Sequence, residues 1–523
     1  MKLSELLTYL PESMRGEVLA SADADPEIAG IAYDSRRVRP GMVFVAIWHR
    51  GYGADGHDYA SAAVKAGAAA VVVQRPVDVP RGTPVVLVPS TALALGWLAA
   101  GLYGVPAARL GLAGVTGTDG KTTTVSLTTA ILEAAGFTTG MVTTIASKTG
   151  RAARAKREHT STPEAVEIHH LLAETVANGG TRAVLETTSH ALDQDRLAGC
   201  EFDVAVVTRV THEHLDYHGT REAYLAAKAR LLDLLRPDPA HPKQQRIPKA
   251  AVLNVDDSSF AYLARRSPAP VIGYGLAVEA AVRAVDVHDC GWGTACRVVS
   301  PWGEGRLALQ LPGAFNVSNA LAAIAAACRL GAPLPVALDC LAGYAGVPGR
   351  MERIDCGQPF AVVVDFAHTP DSLERVLGLL RSRTEGRLLL VFGSAGERDR
   401  EKRPWMGRIA AQGADFFVLA DEDPRLEDRQ QILAEIAAGA IAAGAVEGRQ
   451  FERLADRRAA IARVLALARP GDTVLLAGKG HEQSIIGAVD GKPHAFPWDE
   501  RAVAREELAR LGYAQQGQVA SSK

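Results

Sequence analysis

A chain of 523 residues exceeds what one hydrophobic core supports, so about two to four domains are expected. With 48% hydrophobic and 22% charged residues, a formal net charge of −2 and no basic block, the composition is that of a soluble protein; it argues against a nucleic-acid or membrane-surface binder. The six cysteines are scattered without a C-x-x-C pair, which argues against a zinc site or disulfide framework and suits a reducing, cytoplasmic setting.

In chain order, MKLSELLTYLPESM reads as a short amphipathic helix rather than a signal peptide, and no apolar run reaches the length of a membrane span. Strands are expected at GIAYDS, MVFVAI, AGAAAVVV and PVVLV, in a first α/β block over residues 1–107 that carries no phosphate loop. A second block, 108–345, opens on an apolar run, the turn GVTGTDGKTTT and a helix from Thr123 to Ala135. It continues through AVLET, FDVAVVT, the helix REAYLAAKARLLDLL and AAVLNV; apolar strands separated by helices predict a mostly parallel sheet covered on both faces. A third, Rossmann-like block, 346–513, alternates again through FAVVVDFAH, RLLLVFG, FFVLADEDP and TVLLAG, and AQQGQVASSK, 514–523, reads as a disordered tail.

The turn is a shortened phosphate loop. Val115 stands where the full pattern wants a glycine, leaving Gly117, Thr118, Asp119, Gly120, Lys121, Thr122 and Thr123 between strand and helix. Glycines let backbone N–H groups face an anion, the helix N-terminus adds positive potential, Lys121 adds a point charge, and Thr122 can ligate Mg²⁺. A glycine turn capped by Thr122 is the plain alternative. Beyond it, Glu186 and the histidines His212, His214 and His218 fall at successive strand ends, offering an oxygen ligand and imidazoles. Lys228, amid the alanines of its helix, reads from that helix alone as a lysine reaching solvent.

GTDGKTTT, STPEA, ETTSHALDQDR, THEHLDYHG, AYLAAKARL, LNVDD, GAFNVSNALAA, VPGRMERI, VVVDFAHTPDSLE, FGSAGERDREKRP, DEDPR and GKGHEQ occur in this order. The set resembles the Mur ligase family, in its tripeptide-forming branch, from about Ser35 to Arg505. The resemblance implies a UDP-substrate domain, an ATPase domain and an amino-acid domain. It also implies that ATP phosphorylates the carboxylate of UDP-MurNAc-L-Ala-D-Glu and that an amino acid's amine displaces the phosphate from that acyl phosphate. The loop, with catalytic Lys121, Glu186, His214 and Lys228, would bind ATP and two Mg²⁺. Thr122 and Glu186 would hold one, and His214 with Lys228, carbamylated by CO₂, would help hold the other. Asn254 and Asn316 would contact the nucleotide, and Arg350, Asp365, His368, Lys402 and Arg403 would approach it from the third domain. Ser35, Ser161, Thr162, Thr188, Gln194 and Arg196 would hold the UDP substrate. Arg398, Glu422, Asp423, Pro424, Arg425, Gly478 and Glu482 would hold the amino acid.

Two departures stand out. Asp119 and Arg209 replace residues that are commonly asparagine in the family, and Arg209 is expected to turn away from the metals because burying it there would be costly. In EDPR, Asp423 replaces the neutral asparagine of diaminopimelate-adding members, which favours a distal ammonium and leans the reading to L-lysine or L-ornithine over meso-diaminopimelate. The remote rival is a folylpolyglutamate synthetase-like ligase, which normally lacks the first domain. Only small-molecule partners are expected, with the chain acting as a monomer.

Overall fold

The expected strands are short runs of valine, isoleucine, leucine and alanine, and in the computed structural model they assemble into three sheets joined by helices. The model describes residues 1–18, 25–48, 54–150, 152–155, 161–211, 213–236, 243 and 246–513; His212 and the expected disordered tail lie outside them. In the first sheet, Gly30–Ala32, Met42–Val45, Ala70–Val73 and Val85–Leu87 run parallel, with Glu17–Val18 antiparallel at the edge.

The largest sheet has eleven strands. Across its parallel middle lie Val271–Gly275, Ala250–Asn254, Val204–Val207, Gly111–Thr116, Arg182–Glu186 and Thr139–Val142, in that order. Every residue of Gly111–Thr116 is buried, because helices cover both faces. Lys121–Ala134 and Ala314–Arg329 pack on one face, and Ala165–Ala177 and Arg221–Asp233 on the other. The helix expected from Thr123 starts at Lys121, directly after the glycine turn. Since the strands ending at Glu186 and Val207 flank Gly111–Thr116 on opposite sides, strand order reverses at the loop, and the crevice at these carboxyl ends is where such sheets bind ligands.

Sequence reasoning did not find the antiparallel strands Val282–Cys290, Gly293–Ser300 and Gly303–Leu309 that extend one edge, nor the hairpin Ser484–Val489 with Lys492–Pro497. These strands expose many side chains, so they lack the continuous apolar runs of the parallel strands.

The third sheet orders Glu352–Ile354, Ala361–Asp365, Thr473–Ala477, Leu388–Phe392, Phe416–Leu419 and Phe451–Arg453, all parallel except the first pair. Two of its strand ends are pinned by a buried ion pair. Arg457 donates to both oxygens of Glu500 (2.6 and 2.9 Å) and to the carbonyls of Asp421 (2.9 Å) and Ala477 (2.7 Å), and Trp498 Nε1 donates to Glu500 (2.7 Å). Removing one partner would strand a buried charge. Glu500→Ala is therefore expected to cost about 3–5 kcal/mol in urea denaturation, and Arg457→Met/Glu500→Leu less than that single change.

Candidate active site

The loop is built around two glycines that nothing else can replace. Gly117 has φ +147°, and a Cβ there would lie 1.8 Å from Thr208 Oγ1; Gly120 has φ +82°, and its Cβ would lie 2.3 Å from Asn319 Oδ1. Thr208 Oγ1 donates to the carbonyl of Asp119 (2.6 Å) and lies 3.0 Å from that of Thr116, tying the loop to the adjacent strand end. Lys121 Nζ donates to the carbonyls of Gly117 (3.0 Å) and Thr118 (2.7 Å). Thr122 Oγ1 donates to Glu186 Oε2 (2.9 Å), and Thr144 Oγ1 to Glu186 Oε1 (3.0 Å). Thr122 and Glu186 thus form a hard-oxygen pair, of the kind that binds Mg²⁺ when phosphate oxygens and water complete the shell. Among the described residues no three His, Cys, Asp or Glu side chains converge as a ready-made metal site.

Lys228 does not reach solvent. It is 1% exposed, its Nζ donates to the Gly117 carbonyl (2.7 Å), and it lies 4.3 Å over the Tyr224 ring. Burial, reinforced by Lys121, holds its amine well below the usual lysine range. Tyr224 Oη lies 3.1 Å from Thr118 Oγ1 and donates to Glu213 Oε2 (3.1 Å). Glu213 also faces His214 Nε2 (3.7 Å) and His368 Nε2 (3.6 Å). Burial opposes its charge, but the two imidazoles and Lys121 keep the carboxyl well below its ordinary value. On His368 burial is likewise outweighed by Glu213, which raises the imidazole. His214 adopts a left-handed backbone (φ +55°) and stands edge-on to His190 at 4.7 Å. Desolvation in the cleft lowers His214 despite Glu213, and burial takes His190 to about 3 and His218 to about 4, so His190 and His218 are neutral near pH 7.

Opposite the loop, the C-terminal unit closes a cavity lined by Gly120, Asn316, Asn319, Arg350, Asp365 and Arg375, among others. Asp365 accepts from the backbone N–H groups of Met351 (2.7 Å) and Ala367 (2.8 Å), while burial pushes its carboxyl up. The Arg350 guanidinium sits 4.3 Å over the Phe366 ring, and Lys402 Nζ donates to the His368 carbonyl (2.9 Å). Two expectations are corrected here. Arg403 does not approach this cavity: its side chain is wholly buried, bonded to Glu427 (2.7 and 2.9 Å), Glu435 (2.7 Å) and the Ala395 carbonyl (3.1 Å). The second amide of the cavity is not Asn254, whose Oδ1 accepts its own turn's Asp256 N–H (3.0 Å), but Asn319, which donates to Asn316 Oδ1 (3.3 Å). Arg209 turns outward as expected, 48% exposed and 3.8 Å from Asp371.

On the other side of Glu186 lies a second network. Thr162 Oγ1 donates to the Glu186 carbonyl (2.8 Å) and accepts from Thr188 N–H (3.1 Å), while Ser161 Oγ lies 2.8 Å from Thr144 Oγ1. Arg196 joins Gln194 Oε1 (2.6 Å), the Thr162 carbonyl (3.0 Å) and Glu164 (2.8 Å). Ser35 lies apart, between Asp34 and Arg36, which line a groove of about 510 Å³ in the first unit. Tyr33 bridges this groove to the middle unit through Glu167 (2.8 Å).

The amino-acid candidates gather at the ends of Phe416–Leu419 and Thr473–Ala477. Asp423 Oδ1 pairs with buried Lys479 (2.8 Å) and accepts from Ile486 N–H (2.8 Å); Lys479 also pairs with Glu482 (2.5 Å). Gly478 has φ +104°, and its Cβ would lie 3.2 Å from Glu422 Oε2, a buried atom without a hydrogen-bond partner among the described residues. Pro424 turns the chain into Arg425, whose φ is +56°. Burial and the neighbouring Arg425 both lower the guanidinium of Arg398, and among the described residues neither arginine is paired with a carboxylate within 4 Å.

Sequence reasoning missed Thr144, Glu213, Tyr224, Asn319, Arg375 and Lys479. Tyr224 and Asn319 had a signal, lying four residues before Lys228 and three after Asn316 on the same helices.

Family models agree with this architecture: "Mur ligase family, catalytic domain" matches residues 27–103, "Mur ligase middle domain" 115–327, and "Mur ligase, glutamate ligase domain" 349–480. Over 520 residues the chain is 48% identical to a UDP-N-acetylmuramyl-tripeptide synthetase of Roseiflexus sp. (strain RS-1), covering 98% of this chain and 100% of that one. The chain belongs to the Mur ligase family. It is therefore an ATP-dependent ligase that forms an amide and releases ADP. A UDP-N-acetylmuramoyl-L-alanyl-D-glutamate–2,6-diaminopimelate ligase of Bacillus licheniformis is 40% identical over 514 residues, with 98% and 100% coverage. A solved structure of a ligase of that name aligns with TM-score 0.66 at 31% identity, covering 98% of this chain and 100% of that one.

The low proton affinity of Lys228 has a measurable consequence. Its folded value lies below the ordinary 10.5, so between the two the unfolded chain binds more protons and stability rises with pH. In CO₂-free buffer Lys228→Met is expected to melt above the parent at pH 7, with the gap closing as pH approaches 10.5.

Proposed function

We propose that this ligase joins a diamino acid to UDP-N-acetylmuramoyl-L-alanyl-D-glutamate, with ATP converting the D-glutamyl carboxylate into an acyl phosphate. One observation carries the reading: Glu186 is shared by two networks. Its carboxylate accepts from the loop helix at Thr122, and its carbonyl and its Thr144 contact anchor Thr162 and Ser161. A phosphate donor on the loop and a carboxylate acceptor beside Ser161 and Thr162 would meet across this residue. A carboxylate expels no leaving group by itself, so phosphorylation supplies one, and holding two anions in line is the main catalytic task. Lys121 and the loop amides would hold the phosphates, and Asn316, Asn319, Arg350 and Asp365 the remainder of the nucleotide.

Mg²⁺, when bound, would offset the charge of the phosphate oxygens, and Thr122 and Glu186 would hold it. A second site would use His214 and Lys228. A neutral amine at Lys228 adds CO₂ and releases one proton, leaving a carbamate anion where an oxygen ligand is needed. Lys228→Ala is expected to abolish ligation, with partial rescue by a short carboxylic acid and none by bicarbonate; near-normal turnover of the variant refutes the role.

For the amino acid, the geometry supports meso-2,6-diaminopimelate. Arg398 and Arg425 offer two guanidinium groups to a distal carboxylate, whereas Asp423, from which selection of an ammonium was expected, is already paired with Lys479 at 2.8 Å. The second reading, L-lysine or L-ornithine, has Glu422 Oε2 in its favour. A phosphate-release assay with an amino-acid panel decides between them. Release should require ATP, the UDP-dipeptide and an amino acid together, and kcat/KM for meso-diaminopimelate should exceed that for lysine and ornithine by at least about tenfold. The reverse order overturns the diaminopimelate reading alone. Asp423→Asn should leave the preference unchanged.

A further inference from the structure

Asp119 sets a carboxylate inside the loop that would receive a polyphosphate, and like charges at such range oppose binding. The structure answers this charge from another part of the chain. Arg375, on the helix Pro370–Arg381 of the C-terminal unit, ion-pairs with Asp119 across the cavity. The same guanidinium lies 2.8 Å from Asp371 Oδ2, whose other oxygen faces Arg209 at 3.8 Å. Asp119 and Arg209 are themselves joined by a backbone bridge. The two unusual residues of the middle unit are thus ends of one four-member charge chain, with Asp371 and Arg375 between them. Asp119 and Arg375 keep only about a quarter of their side-chain surface exposed, 26% and 24%, and both line the cavity that holds Asn316 and Gly120.

We infer that Arg375 is a positioning residue for the nucleotide polyphosphate: it neutralises Asp119, so that the loop accepts a polyanion despite carrying a carboxylate of its own. This rests on the reading that the loop amides and Lys121 hold ATP. A residue acting by charge discriminates between ligands of different charge, whereas a residue that merely glues two units together does not. The Asp119 carboxylate also makes Arg375 conditionally necessary. Once residue 119 is neutral, the arginine loses most of its importance for nucleotide affinity.

The test is a double-mutant cycle on the full chain. Dissociation constants for ATP and ADP are measured by titration calorimetry at fixed free Mg²⁺ and ionic strength for the parent, Arg375→Ala, Asp119→Asn, the double variant and Lys121→Ala. Arg375→Ala should weaken ATP by about tenfold or more and ADP by less, as the phosphate charge falls. Asp119→Asn should bind ATP at least as well as the parent, and the double variant should return to within about threefold of Asp119→Asn. Equal losses for ATP and ADP, or a double variant as weak as Arg375→Ala, overturn the inference. Lys121→Ala separates the two claims. If it binds ATP like the parent, the reading of the loop fails and the inference with it; if it loses ATP while Arg375→Ala does not, the inference alone fails. Should Arg375→Ala fail to melt cooperatively, Arg375→Gln, which keeps a hydrogen-bond donor without the charge, carries the same comparison.

Discussion

Two lysine amines converge on one carbonyl oxygen, that of Gly117: Lys121 at 3.0 Å from the loop helix and Lys228 at 2.7 Å from a helix on the opposite face of the sheet. The carbonyl can be shared only because residue 117 lacks a side chain, since a Cβ would fall onto the Thr208 hydroxyl that holds the strand end. Burial, and then the second positive charge of Lys121, lower the affinity of the Lys228 amine for its proton. The same contact that shapes the phosphate loop therefore prepares Lys228 chemically. Neutral amines react with CO₂ and protonated ones do not, so the packing around this glycine is what the proposed carbamate would depend on.

From that point the structure works outward through shared groups. Tyr224 lies under the Lys228 amine and donates to Glu213; Glu213 faces His214 in its own unit and His368 in the C-terminal unit. Burial opposes the charge of Glu213, and His214, His368 and Lys121 lower the carboxyl, so both the middle and the C-terminal units contribute to its state. Between loop and C-terminal unit, Glu213 with His368 and Asp119 with Arg375 pair charges at the cavity, beside the apolar contact of Trp292 and Phe315 with the C-terminal core.

What could be read from the sequence follows from how local each signal is. That the loop and Glu186 would lie together could be read from the sequence because strand ends, glycines and capping hydroxyls are defined by near neighbours in the chain. Lys228 could not be placed from its helix, where alanines surround it; only its family resemblance gave it a role, and burial against Gly117 supplies the physical reason. Arg403 was misread for a geometric cause. Adjacent residues on a helix point about 100° apart, so Lys402 reaches His368 while Arg403 is driven into the core, where Glu427 and Glu435 receive it. Asn254 was misread because an asparagine at a strand end is as apt to cap its own turn as to meet a ligand. Arg375 was beyond reach. Its partner lies 256 residues away, and nothing in the local pattern DSLERVL distinguishes it from a solvated helix arginine.

The two ends of the crevice handle charge in opposite ways, and that contrast bears on specificity. At the phosphate end the fixed carboxylates are paired: Asp119 with Arg375, Glu213 with His214 and His368. The remaining cations, Lys121 and Arg350, can then act on an incoming polyanion. At the amino-acid end the conspicuous acid of EDPR is the residue that is spent, because Lys479 and the Ile486 N–H group occupy it. The guanidinium of Arg398 is instead lowered by burial and by the neighbouring Arg425. An anion placed near both would be favoured over a cation there, which is the physical ground for the distal carboxylate proposed above. The aspartate of EDPR is thus engaged in holding the hairpin Ser484–Val489, which leaves its arginine, beside Arg398, as the residue on which the proposed selectivity rests.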